Sequence, residues 1–219
     1  MTALAHERPE TMPEIRTESV SPAENGPDLD EVVWQAWKAM ELPEGYRAEI
    51  IEGAIEVSPT GRYSHSEIIY QLKEALGEFL RGGEFATRND TNIFHHGGAW
   101  VPDLFVTVRD TERYVTDDRL GLTAAAVRLI VEVVSPGKRS QDRDRVKKRH
   151  EYARAGISVY VIIDDYDNQG TVTVLTEPQP EKADWVGVHR VPYGTDVTIP
   201  EGPAKGFVIG EAITGPKRS

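Results

Sequence analysis

The sequence predicts an α/β fold: a mixed sheet flanked by helices, with additional strands at one edge. Two apolar runs, Leu129–Val134 and Ile157–Asp164, have the length and branched content of strands buried on both faces. The segment between them has helical features, so strand, helix and strand make a βαβ crossover with parallel strands. Upstream, strand and helix patterns alternate; downstream, only short strand patterns remain.

In chain order, residues 1–27 carry four prolines, many acids and few large apolar groups, which predicts a disordered acidic segment. Asp28 or Asp30 can cap a helix running to Met40, with Val33, Trp37 and Met40 on its buried face. Leu42-Pro43-Glu44-Gly45 breaks that helix. Tyr46–Val57 reads as a hairpin turning at Glu52-Gly53. After a loop at 58–63, Ile68, Ile69, Leu72, Leu76, Phe79 and Leu80 recur with a helical period between Ser64 and Leu80, and Gly82-Gly83 stops the helix. Residues 84–94 read as a strand, His95-His96-Gly97-Gly98 as a turn, and Trp100–Val108 as one strand entered through Pro102. Residues 109–126 make a polar loop with a short Ala-rich helix. The first buried strand comes next, then a helix capped by Ser140 and ended by Gly156, then the second buried strand. Asp167–Gly170 turns into an outer strand, Thr171–Thr176, and Trp185–Pro192 with Val197–Ile199 completes a β-rich edge. The expected organisation is one domain over residues 28–212 and a loose tail at 213–219.

The chain has 219 residues and no cysteine, which excludes a disulfide scaffold, a thiolate metal site and a cysteine nucleophile. No apolar run reaches the ~18 residues of a membrane span, and the N-terminus lacks an apolar signal core, so a cytoplasmic protein is expected. A net charge of −11 argues mildly against a nucleic-acid partner. The charge is uneven, however: Lys138–Arg154 holds eight basic and three acidic residues, whereas residues 1–31 hold two basic and eight acidic. A basic stripe suits local phosphate contact through Lys138, Arg139, Arg143, Arg145 and Lys147. On charge alone, a solvated helix with internal ion pairs is the stronger reading.

The stretch Leu129–Gly156 organises the chemistry. Glu132 sits inside an apolar strand, where a carboxylate is costly unless a cation meets it. Asp144, Lys148 and Tyr152 are spaced to share one helix face. Glu49 and Pro102-Asp103 add acids next to apolar strand residues. Hard divalent cations prefer carboxylate oxygens, and Mg²⁺ takes one or two of them while keeping several waters. Each feature also has a plainer reading. Glu132 could pair with Lys148 or an arginine as a structural salt bridge, Asp103 could cap a turn, and Tyr152 could simply pack. His65 could line the site or serve as a cap. His95-His96 suggests a metal pair, but adjacent strand residues point oppositely, so it is read as loop.

Taken together, several stretches resemble the Uma family of restriction-endonuclease-like proteins in the PD-(D/E)XK nuclease superfamily. They are Ala48–Gly53, His65–Ile69, Pro102-Asp103, Val131–Pro136, and Asp144–Lys148 continuing through Tyr152–Gly156. Each motif alone is weak; their order and spacing carry the match, over roughly residues 30–210. The resemblance implies a restriction endonuclease-like fold and a Mg²⁺- or Mn²⁺-dependent phosphodiesterase core. In it Asp103 and Glu132 hold the metal, Glu49 is the family's early acid, and Lys148 is the catalytic lysine. The superfamily's usual lysine position, two residues past the second acid, is Val134 here. The family pattern supplies it from the next helix instead.

The expected function is a divalent-metal-dependent endonuclease hydrolysing DNA phosphodiesters, with a homodimer implied by resemblance alone. The alternative is a catalytically silent nucleic-acid-binding or regulatory module of the same fold. A third possibility is a structural or protein-interaction domain. The nuclease reading predicts that the strands of Asp103 and Glu132 are adjacent, and that Lys148 reaches Glu132 directly or through one water.

Overall fold

A computed structural model describes residues 29–59 and 61–217. Residues 1–27, and Asp28 as a cap, lie outside the described residues. Helix α1 (Leu29–Lys38) leads into the hairpin β1 (Tyr46–Ile51) and β2 (Ala54–Pro59). Glu52 and Gly53 both take positive φ, as a tight primed turn requires, and that turn sets the register Glu49↔Glu56. Helix α2 (Tyr63–Phe79) comes after it. Then come β3 (Phe85–Arg88), β4 (Asn92–His95), β5 (Gly98–Trp100), β6 (Leu104–Val108), β7 (Gly121–Thr123) and β8 (Val127–Val133). Helix α3 (Lys138–Asp142) runs through a π-helical turn (Arg143–Lys147) into α4 (Lys148–Arg154). The chain ends with β9 (Val159–Asp164), β10 (Thr171–Gln179), β11 (Asp184–Pro192), β12 (Val197–Thr198), β13 (Val208–Ile209) and α5 (Glu211–Thr214).

The predicted mixed α/β architecture is present, divided into more sheets than the sequence suggests. A central sheet has the order β11-β10-β9-β8-β6-β3, and a smaller one has the order β2-β1-β5-β4-β7. Strands β8 and β9 are parallel, joined by the helical crossover through α3 and α4, while the other central pairings are antiparallel. One face of the central sheet packs on α2 and the C-terminal ribbon: Ile68, Leu72 and Leu76 meet Leu129, Val131, Val161 and Ile163. Burying each such side chain contributes about 1.5–3 kcal/mol. The other face packs on α4 and the smaller sheet, with Tyr152 and Trp100 against Phe105, Ile130, Tyr160 and Ile162.

Several boundaries differ from expectation, each for a physical reason. Residues 84–94 form two strands, and so does Trp100–Val108. β3 pairs with β6 in the central sheet while β4 pairs with β5 in the smaller one, so one long hairpin passes between two sheets. The breaks fall at Asn89-Asp90-Thr91 and Val101-Pro102-Asp103. Proline lacks the amide a ladder needs, so the chain leaves one sheet at Pro102 and joins the next after Asp103. The crossover helix begins at Lys138 behind Gly137, and its start carries no side-chain cap, so Ser140 is not the cap. Asp144 is buried at the π turn. Met40 is exposed; Trp34 and Trp37 stack on each other and on Phe94 instead. The Ala-rich stretch is a single 3-10 turn. β10 is an inner strand, and β11 forms the edge. Among the described residues, no helix is long and apolar enough to cross a membrane.

Candidate active site

The sheet switch places Asp103 at the head of β6, beside the end of β8. The β6–β8 register runs Leu104↔Val131, so the two expected strands are neighbours. Asp103 Oδ2 accepts from the Val133 amide at 2.9 Å and lies 3.0 Å from His65 Nε2. Its Oδ1 accepts from Arg47 Nη2 at 3.1 Å. Burial alone would raise Asp103, but the His65 hydrogen bond and the Arg47 charge hold it well below the usual carboxylate range. Burial pulls His65 the other way, but its bond to Asp103 and that carboxylate's charge raise it on balance. A Cβ at Gly61 would lie 2.2 Å from His65 Nδ1, so only glycine lets the loop rest against this imidazole.

Glu132 lies deeper. Strand alternation turns Val131 and Val133 toward α2 and Glu132 toward α4. Lys148 Nζ is 2.9 Å from Glu132 Oε1 and 2.9 Å from Glu49 Oε1, and all three side chains are sealed from solvent. Tyr152 donates its hydroxyl hydrogen to the same Glu132 oxygen at 2.5 Å. Glu49 Oε1 also accepts from the Val101 amide at 2.7 Å.

One ammonium thus serves two carboxylates, and they divide it unequally. Burial raises both, but Lys148, Arg47 and Arg143 together bring Glu49 below its ordinary value. Glu132 is pushed up to about 8 by burial; Lys148 opposes this, and Asp103, Asp144 and Glu49 add to it. Burial would discharge Lys148, but Glu132 and Glu49 raise it and keep the ammonium charged. Glu132 Oε2 and Glu49 Oε2 are buried without a hydrogen-bond partner. The latter stands 4.0 Å from Arg47 Nε, beyond hydrogen-bond reach.

The remaining basic residues are mostly occupied. Arg143 is buried and forks onto Asp144 at 2.8 and 3.2 Å. Arg145 forks onto Asp164, at the end of β9, at 2.6 and 3.0 Å. Lys147 reaches Glu56 at 2.5 Å, with Arg139 3.7 Å from the same carboxylate. The internally paired helix therefore fits the stripe better than a row of free cations, with Lys138 and Arg139 left most exposed. Neighbouring lysines serve neighbouring acids: Lys147 faces Glu56, and Lys148 faces Glu49 directly across the hairpin.

A cleft of about 340 Å³ opens over this cluster, lined by Arg47, His65, Tyr70, Lys73, Pro102 and Asp103. Asp103 and His65 line it, whereas Glu132 and Lys148 lie behind. Among the described residues, no three His, Asp or Glu side chains already stand at metal-ligand spacing. His95 and His96 lie apart from the cluster, on the rim of a second depression with Trp34 and Phe94.

Sequence reasoning passed over Arg47, Glu56 and the inward course of Arg143. Arg47 and Glu49 sit two apart on β1, so strand alternation alone puts them on one face. Glu56 is placed by the two-residue turn, which fixes it opposite Glu49. Nothing in the sequence marks the π turn that turns Arg143 and Asp144 inward.

The sequence model of a family described as "Putative restriction endonuclease" matches residues 34–207. The chain belongs to the Uma2 family. A crystal structure from Anabaena variabilis, described as "a putative nuclease belonging to DUF820", aligns with this Uma2 chain at a TM-score of 0.60 and 16% identity. The alignment covers 85% of this chain and 96% of that one, and shows a shared fold. No curated protein matches the chain.

Proposed function

We propose that this Uma2 protein is a divalent-metal-dependent endonuclease hydrolysing DNA phosphodiesters, with Asp103 and Glu132 as metal ligands and Glu49 behind them. The observation that carries the reading is Glu132: a fully buried carboxylate raised to about 8, with Oε2 unpartnered, next to Asp103 at the cleft. Burying such a group costs several kcal/mol, which Lys148 and Tyr152 offset on Oε1 alone, and a cation at Oε2 would offset more. The donor set fits Mg²⁺ or Mn²⁺, being hard oxygen ligands that leave room for waters. Such an ion supplies an activated water and neutralises charge on the phosphoryl group.

The chain's own residues do the rest. Lys148 keeps Glu49 ionised and holds Glu132 beside it, acting on the site through these two carboxylates. Tyr152 fixes the rotamer of Glu132. Arg47 and His65 orient Asp103 and present donors to the cleft. Family membership supports nucleic acid as the substrate class.

One observation favours a catalytically silent module. Arg47, Arg143 and Lys148 already balance much of the acid charge, as a structural network would. Nicking of supercoiled plasmid in Mg²⁺ or Mn²⁺, with Asp103→Ala as control, separates the two. The nuclease reading expects metal-dependent nicking that Asp103→Ala abolishes; no nicking by the wild type with either ion leaves the silent module.

A further inference from the structure

A second cleft, of about 190 Å³, lies on the other side of the loop at Gly61, which lines both clefts. Its side chains are donors: Ser58, Arg62, Ser135, Ser140 and Arg143. Ser58 is 8% exposed, and its Oγ is buried without a hydrogen-bond partner. Strand alternation turns Ser58 to the inner side of β2, with Glu56, toward the crossover helix. Arg143 is 5% exposed and gives Nε and Nη2 to Asp144, leaving Nη1 outside that fork.

None of the nearby carboxylates lines this cleft: Asp144 is held by Arg143, Glu56 by Lys147 and Arg139, and Glu49, which also feels the charge of Arg143, pairs with Lys148. The cleft also sits at the strand–loop–helix turn after β8, where Ser135 and Ser140 flank Gly137 at φ +98°. Hydroxyls and guanidinium groups therefore converge on one small space that no carboxylate lines. Leaving a buried hydroxyl unsatisfied is unfavourable, and an anion with several oxygens would satisfy these donors together.

We infer that this second cleft is a phosphate-binding subsite, which holds a backbone phosphate of the strand lying in the Asp103 cleft. Its phosphate chemistry stands on the donors alone; the source of the phosphate rests on the nuclease reading. A phosphate held here would fix the strand's register against Asp103 without touching the reacting group.

The test is isothermal titration of the full chain with inorganic phosphate, in chloride buffer with chelator. Wild type should bind saturably, and Ser58→Ala and Arg62→Ala should each weaken binding about tenfold. Ser58→Ala should not lower the melting temperature, since it removes a buried hydroxyl that bonds nothing, so weaker binding cannot be ascribed to unfolding. A flat wild-type titration, or unchanged affinity in both variants, overturns the subsite. A second arm uses a short oligonucleotide without terminal phosphates, cleaved in Mg²⁺ or Mn²⁺. A backbone source predicts that Arg62→Ala raises KM and spares kcat; an unchanged KM alongside positive phosphate titration assigns the site to free phosphate and overturns the backbone source. If the wild type binds phosphate but cuts nothing, the nuclease reading falls and the anion site stands; if it cuts but binds no phosphate, the reverse holds.

Discussion

Val131 and Glu132 are neighbours on β8, and they face two different interiors. Val131 joins an apolar layer with Leu72 and Leu76, where stability comes from area and close packing. Glu132 enters a layer in which Lys148, Tyr152, Glu49, Asp103 and Asp144 are buried among aromatic rings. The first layer holds the sheet together at any pH. The second depends on every charge keeping its partner, because a buried ion left alone costs far more than a lost contact. One strand thus carries a structural face and a chemical face, separated by a single residue step.

The largest break in this comparison should come from Lys148→Met. It strips the ammonium from two buried carboxylates, so unfolding by denaturant should show a loss of about 3–5 kcal/mol, beyond any loss of cleavage. Adding Glu49→Gln and Glu132→Gln should restore much of that stability but no activity. A Lys148→Met protein as stable as wild type would show that the ammonium is not the counter-ion the geometry makes it.

On the apolar face, Leu72→Ala should cost about 2–5 kcal/mol. That loss should be the same at every pH between about 5 and 8.5, which sharpens the contrast with the charged face. The stability of the metal-free protein should itself fall across this range. Glu132 binds its proton more tightly when folded than when unfolded, so its contribution is full below about pH 4.5 and is lost as pH rises toward about 8. Glu132→Gln should shrink that slope to what His65 and Asp144, also raised in the folded state, contribute, which thermal midpoints across the pH range would show. Mg²⁺ or Mn²⁺ should raise the wild-type midpoint, and more so as the pH approaches about 8, because the ion competes with the proton. Midpoints that ignore both ions throughout would remove the metal from the reading.

The smallest effect should come from Lys147→Ala. Its ion pair with Glu56 is a third exposed on the lysine side, so less than about 1 kcal/mol should be lost, and salt should shrink that further. The two adjacent lysines therefore test depth directly, with the same charge and similar partners but very different cost.

Much of this arrangement was legible in the sequence, for reasons the particular residues make clear. The Glu52-Gly53 turn marked the β1–β2 hairpin, and the four-residue spacing put Lys148 and Tyr152 on one helix face, the face that the structure turns to Glu132. What sequence could not supply was the sheet switch at Val101-Pro102-Asp103, because a bend between sheets and a strand start after proline leave the same local pattern. Nor could it supply the ion pairs of Arg145 and Arg143. Whether an arginine faces solvent or a distant carboxylate depends on tertiary placement, and Asp164 lies on the far strand of the crossover. The expected roles of Asp103, Glu132, Glu49 and Lys148 rest on the cleavage and melting experiments.

The π turn has a consequence for how this chain can vary in length. A π-helical turn holds one residue more than the α-helical hydrogen-bonding pattern accommodates. Deleting one residue between Arg143 and Lys147 would let the rod close into continuous α-helix with its two halves in nearly their present orientation, because the wide turn is what takes up the extra residue. Lys148, Tyr152 and Arg139 would keep their places, while the side chains turned inward at the bulge, Arg143 and Asp144, would be displaced. The rod can therefore lose its extra residue without moving the helix on either side, and what that loss would cost is the buried Arg143–Asp144 pair.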